Sequence, residues 1–133
     1  MAVDDGCFPP GGFSMQTLTI VVLQSDPTIA QTIAGVLSDH FHSVHVARSV
    51  RELRSAVPRF RAGAAILDME ASGLSEVEGL HREFPQLAIV CTHRVADEEM
   101  WASALNAGAS DMCPASDTLG IVRSAMRNAE RVA

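Results

Sequence analysis

Cysteine is scarce and unpaired in this chain. Cys7, Cys91 and Cys113 are an odd number at irregular spacing, which argues against a disulfide framework. No CxxC and no Cys/His cluster offers a zinc site. Free thiols of this kind suit a reducing cytoplasm, and that is the expected compartment. Basic charge is also short. Ten Lys/Arg against sixteen Asp/Glu give a net charge of -6, whereas phosphate backbones are bound by basic faces. No nucleic-acid partner is expected. Arg123, Arg127 and Arg131 recur at helical spacing and read as a solvated face near the negative end of a last helix. No apolar run approaches the roughly 20 residues that span a bilayer, so no membrane partner is expected. Met1 to Gln16 lacks the charged-then-apolar order of a signal peptide. Its Pro9-Pro10-Gly11-Gly12 core reads as a flexible leader, with the folded domain expected over 17–133. No glycine-rich loop follows the first strand, which argues against nucleotide binding. No nucleophile–base–orienter set is apparent, and Asp68-Met69-Glu70 lacks the Asp-x-Asp spacing of aspartate-nucleophile phosphatases. An enzyme is therefore not expected.

What the chain does have is length for one core, at 133 residues, and 47% hydrophobic residues with which to build it. The stretch that organises it is Ala64-Ala65-Ile66-Leu67-Asp68. A short apolar run closed by an acid and small residues reads as a strand buried on both faces. Leu18–Leu23 is a second such strand, rich in β-branched residues. Asp26 and Pro27 supply a cap and a first-turn proline for a helix with Ile29, Ile33, Val36, Leu37 and Phe41 at helical spacing. His40 and His42 fall at its expected end, and no third ligand suggests a metal. Ser43–Ala47 alternates around Val44 and Val46. Ser49 and Glu52 form a capping box for a helix closed by Pro58.

Beyond Asp68, Ser75 and Glu78 suggest another capping box, with Val77, Leu80 and Phe84 inward and Pro85 as the stop. Leu87–Thr92 is an apolar strand ending in a hydroxyl. Asp97, Glu98 and Glu99 open a helix that Gly108 ends. In it Met100, Ala104 and Ala107 form a stripe flanked by Trp101 and Leu105. Ser110–Pro114 is a short strand. Asp117 or Ser116 caps a last helix, with Leu119, Val122, Met126 and Ala129 inward.

Strand and helix thus alternate five times. The pattern predicts an α/β fold: a five-stranded parallel sheet, doubly wound with five helices. The first, third and fourth strands are the most apolar and belong in the centre. The order 2-1-3-4-5 satisfies this, and opens a crevice between the ends of strands one and three. Gln24-Ser25-Asp26 and Asp68 would meet there.

The stretches VVLQSDPTIA, AAILDMEASGLSEVEGL and AIVCTHRVADEEMWASALNAGASDM carry a resemblance. From about Leu18 to Ala133 the chain resembles the receiver domain of two-component response regulators. The resemblance implies the flavodoxin-like fold, a phosphoacceptor at Asp68, and at Thr92 a hydroxyl that binds the phosphoryl group and relays it. It implies a histidine kinase or another protein as partner. It also implies a face of fourth helix, fifth strand and fifth helix for dimers and contacts. Here that face would offer Asp97, Glu98, Trp101, Met112, Arg123 and Arg127.

Three family positions are filled differently. The acidic pair that holds Mg²⁺ falls at Gln24 and Ser25, leaving Asp26 with Asp68 as the remaining metal candidates. The lysine after the fifth strand falls at Ala115. The aromatic switch falls at Met112. Mg²⁺ prefers carboxylate oxygens, and Mg²⁺ with a lysine normally offsets the charge of phosphoryl transfer. The leading expectation is a receiver-type signalling domain, degenerate at its metal site, that works through protein contacts. The alternatives are an active phosphoacceptor at Asp68, and an atypical receiver module from a longer protein such as a pilus-assembly localisation ATPase. His93 is a candidate source of positive charge for the site. Cys91 and Cys113, on neighbouring strands, are a less favoured redox pair.

Overall fold

A computed structural model of the chain describes residues 16–132. The expected leader falls outside the described residues, except that Gln16 already belongs to the first strand. Ten elements alternate: β1 (Gln16–Leu23), α1 (Pro27–Leu37), β2 (Phe41–Ala47), α2 (Val50–Arg59), β3 (Ala62–Asp68), α3 (Leu74–Glu83), β4 (Ala88–His93), α4 (Glu98–Ala107), β5 (Asp111–Pro114) and α5 (Thr118–Val132). The strands form one parallel sheet in the order β2-β1-β3-β4-β5, as the apolar pattern predicts.

The sheet separates two apolar layers. On one face Leu53 and Val57 of α2, Val77 and Leu80 of α3, and Ala104 of α4 pack on Val21, Leu67 and Ile89. On the other, Ile33 and Leu37 of α1 and Ile121 and Ala125 of α5 pack on Ile20, Val22, Ile66 and Val90. β1, β3 and β4 contribute side chains to both layers, so they read as unbroken apolar runs. Full burial of one such side chain stabilises the fold by about 1.5–3 kcal/mol.

The helix starts are local chemistry. The Asp26 carboxylate accepts from the Thr28 N–H at 2.8 Å, with Pro27 at the first position of α1. Ser49 Oγ accepts from the Glu52 N–H at 3.1 Å, while Glu52 accepts from the Arg48 N–H at 2.8 Å. Asp97 caps the Met100 N–H at 2.9 Å and Asp117 caps the Gly120 N–H at 3.0 Å. Gly108 closes α4 at φ 115°, where a side chain would be strained.

Four details depart from the sequence reading. α1 stops at Leu37, and Phe41 opens β2, so His42 lies on a strand. Phe41 still buries in the α1 layer, which is why its spacing mimics a longer helix. Pro58 sits inside the last turn of α2, one residue before its end. Gly73, not Ser75, precedes α3, and it supplies no side-chain cap. Leu119 faces solvent at 62% exposure; Ile121, Val122, Ala125 and Ala129 bury instead.

Candidate functional site

The parallel register brings the site together. Asp68 and Thr92 are register partners at the C-terminal ends of β3 and β4. Leu23 pairs with Leu67, so the Gln24-Ser25-Asp26 loop leaves the sheet directly beside Asp68. Asp68 and Thr92 are both buried. A cavity of about 220 Å³ opens at Asp68, lined among others by Gln24, Ser25, Asp26, Asp68, Arg94 and Ala115.

Inside it the hydrogen bonds are largely committed. Asp68 Oδ2 accepts from the Ser25 N–H at 2.7 Å and from the Ser25 hydroxyl. Its Oδ1 accepts from the Glu70 N–H at 2.9 Å. Gln24 Nε2 donates to Thr92 Oγ1 at 2.9 Å. The two neutral residues at the positions of the acidic pair therefore supply donors, not ligands. One grips the aspartate and the other grips the threonine.

The five-strand order, the acid at the tip of β3 and the hydroxyl at the tip of β4 invite comparison with known proteins. No family model matches the chain. The human collagen alpha-5(VI) chain is 34% identical over 92 residues, which is 68% of this chain but only 4% of the collagen chain. That fragment is too small a part of its parent to say what this chain is. Solved structures are more informative. The receiver domain of the Francisella response regulator 1452 superposes with a TM-score of 0.77 at 15% identity, over 88% of this chain and 100% of that one. The Salmonella typhimurium RcsB response regulator superposes with a TM-score of 0.76 at 14% identity, over 88% of this chain and 61% of RcsB. The fold is that of a response-regulator receiver domain.

The receiver fold implies Mg²⁺ beside the aspartate, and the residues here can be tested for it. Mg²⁺ requires several hard oxygen ligands. Both Asp68 oxygens already accept protein donors, Gln24 and Ser25 bring no carboxylate, and Asp26 is turned to the first turn of α1. Among the described residues no three His, Cys, Asp or Glu side chains are placed to hold a metal ion. This donor set does not fit Mg²⁺.

Nor is the missing lysine replaced in kind. Ala115 lines the cavity where the receiver fold expects it, and all ten cationic side chains of the chain are arginines. The cation over the cavity is Arg94. Its Nε donates to Glu70 Oε2 at 2.9 Å, and its backbone N–H donates to the same oxygen at 3.2 Å. Neither Glu70 nor Arg94 stood out in the sequence. The signal was their equal offset: each lies two residues past a register-paired strand end, so the two loops meet.

The other sequence candidates fall elsewhere. His93 lines a groove between α3 and α4, not the Asp68 cavity. Its Nε2 lies 3.9 Å from Glu70, and the Val95 N–H reaches its Nδ1 at 3.0 Å. Cys91 and Cys113 sit one register step apart, since Cys91 pairs with Met112 and Thr92 with Cys113. They therefore bury on opposite faces of the sheet and cannot bridge. Burial, then the Cys113 charge, pushes the Cys91 thiol up to about 12. Burial, then Asp111 and Asp117, pushes Cys113 up to about 11.

On the face of α4, β5 and α5, Asp111 is a hub. It accepts from Ser124 Oγ at 2.6 Å, from Trp101 Nε1 at 3.4 Å and from Arg127 Nη2 at 3.4 Å. Trp101 is 45% exposed. Glu98, Arg123 and Arg127 are exposed beside it, whereas Met112 is buried beneath. Met112 thus backs this face and offers it no contact surface.

Proposed function

We propose that the chain is a receiver-type signalling domain that acts by binding another protein, with Asp68 as an internal anchor and not a phosphate acceptor. The single observation that carries this reading is the double grip of Ser25 on Asp68 Oδ2. A phosphoryl group arriving there must displace donors to a charged acceptor, each worth about 1.5–3 kcal/mol. It also finds no lysine, and the nearby Arg94 is paired with Glu70. Charge meets charge without the usual compensation. The same bonds brace the loop above the sheet without any modification, and the face of α4, β5 and α5 is tied separately through Asp111. Trp101 would anchor a partner or a second copy, with Glu98, Arg123 and Arg127 as polar surround; Asp97, expected on this face, lines the groove between α3 and α4 instead. The free, high-pKa thiols suit a reducing, cytoplasmic setting.

The second reading is an active phosphoacceptor. The Asp68–Thr92 register pair favours it. The discriminating experiment is intact mass after incubation with Mg²⁺ and acetyl phosphate, alongside a beryllofluoride titration. The first reading expects no adduct. An adduct that disappears in Asp68→Asn overturns it in favour of the second. Either reading accommodates a module from a longer protein, as the chain spans 61% of RcsB.

A further inference from the structure

We propose that the groove between α3 and α4 is a second docking surface, for a basic amphipathic helix of another protein. It goes beyond the reading above, which concerns the opposite flank of α4. The groove encloses about 380 Å³ and is floored by Met69, Leu74 and Met100. Leu74 is 41% exposed there. Two methionines make a deformable apolar floor that accepts varied side chains. Helices lying in apolar grooves anchor through residues spaced by three and four. A cleft between two helix starts, with apolar side chains on both walls, matches that ridge.

Charge selects the occupant. Asp97 and Glu99 line the groove. Asp97 is spent on capping α4. Among the described residues, Glu99 has no ion-pair partner within 4.0 Å. The nearby cation, Arg94, is held by Glu70. The rim therefore carries uncompensated negative charge, which complements lysines or arginines flanking an apolar ridge. Met69 joins the groove to the site, since its N–H donates to the Thr92 carbonyl at 2.8 Å. An occupant would press on the loop that follows Asp68.

The experiment titrates the isotope-labelled full chain with a synthetic helix. This probe carries leucines at alternating three- and four-residue steps and lysines along both flanks. Expected are amide shifts at Met69, Leu74, His93 and Met100, and affinity that falls as salt rises. Glu99→Lys should weaken binding about tenfold. Leu74→Ser should weaken it comparably, and both positions are exposed enough to leave the fold intact. The same peptide with glutamates in place of lysines should not bind. The proposal is overturned if that peptide binds equally, if Glu99→Lys changes nothing, or if the shifts gather around Trp101 and Leu119 instead. It is also overturned if groove amides shift with protein concentration alone, since the occupant would then be a second copy.

Discussion

Ser25 donates both its backbone N–H and its hydroxyl to a single oxygen of Asp68. Two loops from adjacent strands are thereby tied by one carboxylate, at the place where the receiver fold opens its crevice. The tie is internal, so it should register as stability. Ser25→Ala removes the hydroxyl but keeps the N–H, and should cost about 1–2 kcal/mol. Asp68→Asn presents an amide to three donors and should cost more, about 2–3 kcal/mol. Urea denaturation of both variants measures this. Unchanged midpoints would show that the grip on Asp68 is energetically empty.

Most of this fold is written in the apolar runs. β1, β3 and β4 are buried on both faces, so each run is unbroken and bounded by polar residues. Their central position follows from that alone. Phe41 shows where such reasoning slips. It lies four residues past Leu37, and it buries in the same layer, but from the start of a strand. Spacing records which face a residue meets, not which element carries it. Leu119 slips for the opposite reason. It sits in the first turn of α5, beyond the part that covers the sheet, and the buried arc is centred on Ile121 and Ala125. The positions of Gln24, Ser25 and Ala115 were legible by comparison with the receiver pattern. Which donor grips which acceptor was not, because that depends on the register of three strands.

If the grip of Ser25 replaces a metal, reversing it should invite one. Ser25→Asp puts a second carboxylate against Asp68 and removes a donor. Without metal the like charges should lower the melting temperature. With Mg²⁺ part of that loss should return, because an ion bound only by the folded state stabilises it. The parent chain should show no Mg²⁺ dependence. Adding Ala115→Lys gives the cavity its missing cation, and the double variant should form the acetyl phosphate adduct that the parent lacks. Mass spectrometry and thermal melts with and without Mg²⁺ check both halves. Equal Mg²⁺ responses in parent and variant would refute the account.

The buried thiols give the fold an alkaline limit. Cys91 and Cys113 ionise only at about 12 and about 11 in the folded state, against 9.0 for an ordinary thiol. Above pH 9 the unfolded chain releases these protons while the folded chain keeps them. The unfolded state then binds fewer protons, so stability falls as pH rises. The loss is about 1.4 kcal/mol per pH unit for each thiol so affected, and it continues until the folded thiols themselves ionise. Denaturation midpoints measured on either side of pH 9 should separate. In Cys91→Ala with Cys113→Ala the difference should shrink. Native protein at neutral pH should leave both thiols unmodified by iodoacetamide, and urea should expose them.

Trp101 is the only tryptophan in the chain, and it stands half in solvent with its indole N–H near Asp111. Its emission therefore reports directly on the face of α4, β5 and α5. Asp111→Ala removes the acceptor shared by Trp101, Ser124 and Arg127. The partly buried Ser124 bond dominates, so the cost should be about 1–3 kcal/mol; the longer, exposed Arg127 contact contributes little. Tryptophan quenching by acrylamide should rise as the ring loses its tether. Trp101→Ala with Arg123→Glu leaves Asp111 and its buried partner in place, so the fold should survive. If this face carries self-association, that double variant should sediment as a monomer at concentrations where the parent associates. Parent and variant associating alike, with intact circular dichroism, would move the contact surface away from α4 and α5.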